Sequence, residues 1–261
     1  GRHGDARSSR RSLATAQRQL HALSGPGEDR LALGHADQAV AVDGAAELDL
    51  QLRALAPGAG LIVRHGVAAD ELPRLAAALG VQAVYANHDD DPNALARDAH
   101  VRGALATAGI ALHTSKDHVV FERSEVLTQS GGVYGIFTPY KNAWLKRLDG
   151  YFLKAYPVER HAAALAAPPQ GVAAGVPTLA ELGFEPTNLA SLKMPPGPAG
   201  AQSMFAEYLQ RIDDYEQTRN FPAVKGPSYL STHLRFGTIS IRQLARESWQ
   251  RVQGGSAGAQ V

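Results

Sequence analysis

Apolar positions recur with alternating helix and strand spacing between residues 47 and 116. Three helical patterns and three short apolar runs follow one another there across short polar connections. In chain order they read AELDLQLRAL (helix), GLIVRHG (strand), VAADELPRLAAALG (helix), QAVYAN (strand), PNALARDAHVRGALATAG (helix) and IALHTSK (strand). This alternation predicts an α/β fold with a partial Rossmann-like parallel sheet. Ligands of such sheets bind beyond the carboxyl ends of the strands, which here are 64–66, 87–93 and 115–118.

A further helix and a proline-rich connection follow the predicted sheet. Pro139 begins a predicted helix in which Trp144 and Leu145 face inward, while the basic side chains of the same helix stay in water. Residues 157–200 contain eight of the fifteen prolines of the chain. That density predicts a long and mostly irregular segment.

The last part of the chain is predicted to be all-helical. From Ala201 the pattern reads helix, loop, helix, helix. The apolar stripe of the first of these helices consists of Met204, Phe205, Tyr208, Leu209 and Ile212. The predicted domains are an atypical or poorly ordered N-terminal segment (1–46), a partial α/β domain (47–130), an interdomain connection with one or more helices (131–200) and the start of a helical domain (201–261).

The N-terminal segment, residues 1–46, differs in composition from the rest of the chain. It is rich in Ala, Gly, Arg and Ser, and the first aromatic residue of the chain is Tyr85. Such a stretch has little apolar surface with which to pack. Its arginines allow a nucleic-acid-binding arm, but without interleaved aromatic residues a solvated segment is favoured.

Overall composition narrows the function classes. The chain has 261 residues, 44% of them hydrophobic, and a formal net charge of +1, which is typical of a globular domain and not of a polyelectrolyte. Neither a run of about 18 apolar residues nor an apolar signal segment is found, so we expect a cytoplasmic protein without a membrane partner. The absence of cysteine excludes disulfides, thiolate catalysis and cysteine-ligated metal sites.

Nucleotide and metal motifs are missing from the predicted sheet. Neither G-x-G-x-x-G nor G-x-x-x-x-G-K-[ST] occurs, which disfavours a dinucleotide dehydrogenase or a P-loop enzyme. The carboxylates of HDDDP (88–92) diverge in an extended loop, so Asp91 is predicted to cap the helix that begins at Pro92. The ten histidines include no HExxH or H-x-x-x-H spacing. We therefore expect no metal site.

Three longer blocks carry a resemblance to a known family. They are DPNALARD, FTPYKNAWLKRL and YEQTRNFPAVKGPSYLSTHLRFGTIS. Their order and spacing, over about residues 47–247, resemble those of the DNA photolyase/cryptochrome family, in particular the bacterial deoxyribodipyrimidine photolyases. The resemblance implies an all-α domain that binds FAD. In that family reduced FAD, excited by light, donates an electron to a cyclobutane pyrimidine dimer flipped out of UV-damaged DNA.

The family's FAD-phosphate motif falls on one short segment near the end of the sequence. Its members here are Pro227, Ser228, Tyr229, Leu230 and Ser231. Serine hydroxyls and free backbone N–H groups at the start of a helix suit a diphosphate. Pro227 stands where a hydroxyl residue is common in the family, and it removes one donor.

Three further residues acquire roles from the resemblance. Tyr215 falls on a tyrosine that contacts the flavin cofactor. Arg219 falls on an arginine of the DNA-binding face, where it would contact a phosphate; the alternative is a surface residue that caps the preceding helix. Asn93 falls on a residue that contacts an antenna chromophore, often methenyltetrahydrofolate. Ala94 replaces the Glu that follows it in the family, which leaves another antenna, or none, open.

The resemblance also implies a longer protein. The family's opening strand motif is not found in residues 1–46, and its catalytic residues are expected beyond residue 261. We therefore expect this chain to be a fragment, and a monomer, with little or no repair activity of its own. Three functions stay open: a photolyase acting on UV-damaged DNA, a cryptochrome-type blue-light sensor, and a non-enzymatic α/β binding domain.

Overall fold

Strands and helices alternate in the first half of the described chain, and helices dominate the second half. The computed structural model describes residues 35–116, 118–185 and 194–260. In chain order the elements are α1 (His35–Leu55), α2 (Ala68–Ala78), β1 (Ala83–Asn87), α3 (Pro92–Thr107), β2 (Ala111–Ser115), α4 (Phe137–Arg147), α5 (Gly150–Leu153), α6 (Gly197–Leu209), α7 (Tyr215–Thr218), α8 (Ser231–Phe236) and α9 (Ile241–Gln253). Short 3₁₀ helices lie at Arg123–Glu125, Val158–Ala164, Ile212–Asp214 and Gly258–Gln260.

The sheet of the described residues is a parallel pair joined by a helical crossover. Strands β1 and β2 pair in register from Ala83 opposite Ala111 to Asn87 opposite Ser115. Helix α3 connects them, and the core beneath the pair consists of Ala76, Val84, Val101, Leu105 and Ile110. The predicted α/β class and the strand, helix, strand order of residues 82–116 are confirmed.

The strand predicted over residues 60–66 was wrong. Only Ile62 forms a bridge, and its partner is Gly175 of the proline-rich connection. The Leu61 N–H donates to the Asp49 carboxylate of α1 at 2.6 Å, and the Leu61 carbonyl accepts from the Gly175 N–H at 3.0 Å. These bonds use the backbone groups of Leu61 that a third strand would offer to a sheet neighbour.

Helix α3 begins as its sequence predicts. The Asp91 carboxylate accepts from the Asn93 N–H at 2.9 Å and the Ala94 N–H at 3.4 Å, and Pro92 occupies the first helical turn. An N-cap of this kind satisfies N–H groups that have no partner inside the helix. The capping role predicted for Asp91 is confirmed.

The inward face of helix α4 includes Trp144, as predicted, but not Leu145. Trp144 is half-buried with its ring 5.5 Å from that of Phe121, but Leu145 is 42% exposed. Tyr140 and Leu148 complete the inward face. Positions 140, 144 and 148 follow the four-residue helical spacing, and residue 145 lies about 100° further round the helix. The inward orientation predicted for Leu145 was therefore wrong.

The C-terminal helices share a second core. Buried Phe205 packs with Leu230 and Ile239, and Met204, Tyr208 and Leu209 pack against them. The predicted apolar stripe of α6 is confirmed for Met204, Phe205, Tyr208 and Leu209. The fifth residue, Ile212, is buried in the 3₁₀ helix that follows. Helix α1 lies against both α6 and α8, so the N-terminal helix supports the C-terminal ones.

The predicted domain limits do not coincide with the ends of elements. Helix α1 runs through the boundary at 46/47, and α6 begins at Gly197, four residues before the predicted start of the helical domain. Of the N-terminal segment, residues 1–34 lie outside the described residues, as do 186–193 of the connection. The division into four parts stays a prediction. None of the described helices is long and apolar enough to cross a membrane.

Candidate cofactor-binding site

The motif at 227–231 forms a turn with an unusual backbone. Tyr229 has φ +56°, in the left-handed region, and Leu230 follows with φ −88° and ψ 3°. Successive residues of opposite handedness turn their N–H groups toward one side and form an anion-binding concavity. The N–H groups of the first turn of α8, which starts at Ser231, have no partner inside the helix. The turn therefore offers backbone donors to an anion.

The side chains of this turn divide into an anchor and a polar surface. Leu230 is buried in the core of the C-terminal helices, whereas Tyr229 is 47% exposed. Ser228 is half-buried and Ser231 exposed. The Ser228 hydroxyl oxygen accepts from the Leu230 N–H at 3.5 Å, a long bond that leaves its own proton available. Both hydroxyls can therefore donate to a phosphate.

Arg211 holds the loop that leads into the motif. Its guanidinium donates to the carbonyls of Lys225 at 2.8 Å, Gly226 at 2.5 Å and Pro227 at 2.9 Å. The same group pairs with the Glu207 carboxylate at 3.2 Å, and the Lys225 ammonium lies 3.1 Å from that carboxylate. Hydrogen bonds from Arg211 and Lys225 hold the pKa of Glu207 below its usual range, so the carboxylate stays ionised.

Sequence reasoning did not predict Arg211 or Glu207 as part of the site. The available signal was their spacing of four residues at the end of α6, which is typical of many surface ion pairs. The partners that make Arg211 distinctive are backbone carbonyls. These carry no signature in the sequence.

Two contacts place the helix that begins at Tyr215 next to the motif loop. It begins α7, is half-buried, and meets the Tyr208 ring edge to face at 6.1 Å. Burial raises the pKa of Tyr208, and Tyr215 adds to the effect while Arg211 opposes it. A Cβ atom at Gly226 would lie 2.9 Å from the Thr218 carbonyl oxygen, so only glycine allows the loop this close to α7. The structure thus connects the Tyr215 helix and the motif loop.

Arg219 ends α7 and is exposed. Its guanidinium carbon lies 5.8 Å from the centre of the Tyr215 ring. The backbone N–H of Arg219 donates to the Tyr215 carbonyl. No side-chain ion pair of Arg219 occurs within the described parts of the chain. The role of Arg219 at a DNA phosphate stays a prediction.

Comparison with known proteins identifies the family. The DNA photolyase family model matches residues 10–169. The chain belongs to the DNA photolyase family. It is 33% identical to the deoxyribodipyrimidine photo-lyase of a Synechococcus species over 206 residues, which cover 76% of this chain and 41% of the relative. It is also 26% identical to Cryptochrome-1 of Rattus norvegicus, covering 75% of this chain and 34% of that protein.

A solved structure of the same family has the same fold. The structure of a bacterial class III photolyase from Agrobacterium tumefaciens matches with a TM-score of 0.70 and 26% identity, covering 85% of this chain and 45% of that one. The resemblance predicted from the three sequence blocks is confirmed. The chain spans 41% of the length of the Synechococcus photo-lyase and 38% of the length of that of Halobacterium salinarum.

The positions predicted to contact an antenna chromophore lie apart in the sequence from the motif, at the start of α3. Asn93 is exposed, and its N–H is used by the Asp91 cap. Ala94 is only 6% exposed, so a Glu at this position would place its stem against the core before its carboxylate reached solvent. The antenna role of Asn93 stays a prediction.

Charged groups at the carboxyl edge of β1 pair with one another. His88 contacts the Glu122 carboxylate, and Asp90 pairs with Arg123 at 2.9 Å. Within residues 35–116, 118–185 and 194–260 no group of three or more His, Cys, Asp or Glu side chains is arranged to hold a metal ion. The HDDDP carboxylates that the structure describes are thus engaged in capping and ion pairs.

His233, in α8, is a buried histidine. It has no exposed surface, and its Nδ1 shares a 2.8 Å hydrogen bond with the Thr238 hydroxyl. Its Nε2 has no hydrogen-bond partner within the described chain. Burial lowers the pKa of His233, so the ring is neutral at pH 7. Sequence reasoning gave this residue no role.

Proposed function

We propose that this chain is part of a deoxyribodipyrimidine photolyase that binds FAD and repairs cyclobutane pyrimidine dimers in UV-damaged DNA. Membership of the family and the order of its sequence blocks support this reaction. The observation that carries the cofactor assignment is the backbone turn at Tyr229 and Leu230, flanked by two serine hydroxyls. Since the chain spans 41% of the Synechococcus photo-lyase, repair is proposed for the whole protein.

The described residues fit the phosphate half of FAD. The donors are the backbone N–H groups from Ser228 to Ser231 and the hydroxyls of Ser228 and Ser231, and none of these groups carries a negative charge. Glu207, the carboxylate bonded to the arginine that holds the loop, is paired with both Arg211 and Lys225. A diphosphate placed there would meet hydrogen-bond donors.

Each remaining site residue has a distinct proposed task. Bound FAD would supply the light-excited electron donor. Tyr215 would contact the cofactor from the side of Tyr208. Arg219 would neutralise a DNA phosphate, which positions the strand without reading its sequence. Asn93 is proposed to contact an antenna chromophore, and methenyltetrahydrofolate is disfavoured by Ala94.

Two measurements test the proposal. The purified 261-residue chain, titrated with FAD, should quench flavin fluorescence. A protein of the relatives' full length that contains this chain should remove dimers from a dimer-containing oligonucleotide under blue light but not in the dark. A folded chain that neither binds FAD nor retains flavin absorbance would contradict the cofactor assignment. That result would favour a non-enzymatic α/β binding domain.

A cryptochrome-type light sensor is the second candidate. The 26% identity to Cryptochrome-1 of Rattus norvegicus is the observation that favours it. Both candidates require FAD, so the oligonucleotide assay separates them. Flavin binding with light-dependent spectral change but no loss of dimers, in a protein of the relatives' full length, would support the sensor.

A further inference from the structure

The geometry points to Arg211 as the residue that positions the FAD-phosphate loop, by turning three carbonyl oxygens away from the anion and the Ser228 N–H toward it. This inference rests on the proposed FAD site. It concerns a residue outside the motif, on the opposite side of the loop. Arg211 touches no ligand in this arrangement and is therefore a positioning residue.

The contacts of Arg211 are unusually complete for a surface arginine. One guanidinium bonds the carbonyls of Lys225, Gly226 and Pro227 and also reaches both oxygens of Glu207. Its side chain is only 18% exposed, and it stacks 5.1 Å above the Tyr208 ring. Hydrogen bonds to a charged donor are stronger than neutral ones. The three carbonyls are thus fixed toward Arg211.

The geometry of the peptide bond links the orientation of the Pro227 carbonyl to that of the Ser228 N–H. In a planar trans peptide the carbonyl oxygen and the following N–H point in opposite directions. Because the Pro227 carbonyl faces Arg211, the Ser228 N–H faces away from it. Without Arg211 these carbonyls could rotate toward a bound phosphate and repel it.

Glu207 fixes Arg211 in turn. Its carboxylate pairs with both Arg211 and Lys225, so the two cations are held on the far side of the loop. Arg211→Lys would keep the charge, but an ammonium has only three donors on one atom and cannot bond three carbonyls and a carboxylate at the same time. Arg211→Lys is therefore the sharpest variant.

The test compares wild type with Arg211→Lys and Arg211→Met, using the whole 261-residue chain. Arg102→Met, which removes an exposed arginine of α3, is the matched control. FAD affinity is measured by fluorescence titration. The amide signal of Ser228 is followed by NMR during titration with inorganic pyrophosphate.

We expect the dissociation constant for FAD to rise about tenfold in both Arg211 variants, the effect of one lost charge-assisted contact network, and to stay unchanged in the control. The Ser228 amide should respond to pyrophosphate in wild type and lose that response in Arg211→Lys. A general loss of stability would not remove one amide's response selectively. An unchanged Ser228 response in Arg211→Lys would overturn the inference.

Failure of the proposed FAD site gives a different result. In that case wild type would bind neither FAD nor pyrophosphate, and the ligand-free protein would decide the inference. Backbone carbon shifts and amide exchange of residues 226–228 should change in Arg211→Lys and not in Arg102→Met. If they do not change, Arg211 does not position the loop.

Discussion

Glu47 offers the most direct test of how the N-terminal helix supports the candidate site. It lies in α1, and its carboxylate accepts from the Ala199 N–H in the first turn of α6 at 2.9 and 3.2 Å. The residue before α6 is Pro196, which provides no side-chain cap, and Pro198 has no N–H. The Glu47 side chain therefore caps the N-terminus of α6 from a position 152 residues before Ala199.

Two contributions determine how much the Glu47 side chain stabilises the protein. A side-chain cap at a helix N-terminus stabilises a protein by about 0.5–2 kcal/mol. A negative charge there interacts favourably with the helix dipole by about 0.3–1 kcal/mol when partly exposed. Glu47→Ala should thus lower the free energy of unfolding by about 1–2 kcal/mol, and Glu47→Gln, which keeps an acceptor, by about 0.5 kcal/mol.

Urea unfolding followed by tryptophan fluorescence measures this effect, since Trp144 and Trp249 pack in one buried cluster. Gln51→Ala is the matched control because Gln51 donates to Glu47 at 3.1 Å but does not reach α6. The control should change the free energy of unfolding by less than about 0.5 kcal/mol. If Glu47→Ala is as stable as Gln51→Ala, the carboxylate does not cap α6.

Three further predictions concern the C-terminal helices. Because the pKa of His233 is lowered in the folded protein, the unfolded chain binds a proton at a higher pH than the folded chain does. The free energy of unfolding should therefore fall as the pH drops below about 6.5. His233→Gln should make this pH dependence weaker in urea titrations between about pH 7 and 5. Ser228→Ala and Ser231→Ala should each weaken FAD binding about fivefold, whereas Thr232→Ala should not; equal loss in all three would contradict the hydroxyl assignment. Arg219→Gln should weaken binding to any DNA sequence and reduce the slope of log K against log salt by about 1, leaving FAD affinity unchanged; an unchanged slope would place Arg219 off the DNA.

Local features were predictable from the sequence where a short segment decides its own structure. The pair β1 and β2, helix α3 and its Asp91 cap depend on periodicity and capping within a few residues. The stretch 60–66 has strand composition, but Asp49 and Gly175 take the backbone bonds of Leu61. Partners so distant in the chain leave no trace in a local pattern.

The candidate site likewise contains residues that the sequence indicated and residues that it did not. The motif residues Ser228 and Ser231 were predicted through resemblance, since their order in the sequence is distinctive, and their role at a phosphate stays a prediction. Arg211 was not predicted, because it acts on carbonyl oxygens that every residue possesses. The role of Glu47 at α6 is hidden for a related reason, since a cap from another helix follows no spacing rule.

Pro227 makes the proposed phosphate site depend on the backbone of the rest of the motif. The Gly226 carbonyl faces Arg211, so the nitrogen of residue 227 faces the side on which we place the phosphate, and proline offers no proton there. Both the usual hydroxyl and a backbone donor are therefore missing at this position. The remaining donors begin at Ser228, and their direction depends on Tyr229 keeping a left-handed conformation that destabilises an L-residue by about 1–2 kcal/mol. Burial of Leu230 on one side and the grip of Arg211 on the other can hold that conformation, which makes the anchors of the turn as important to phosphate binding as the groups that would touch it.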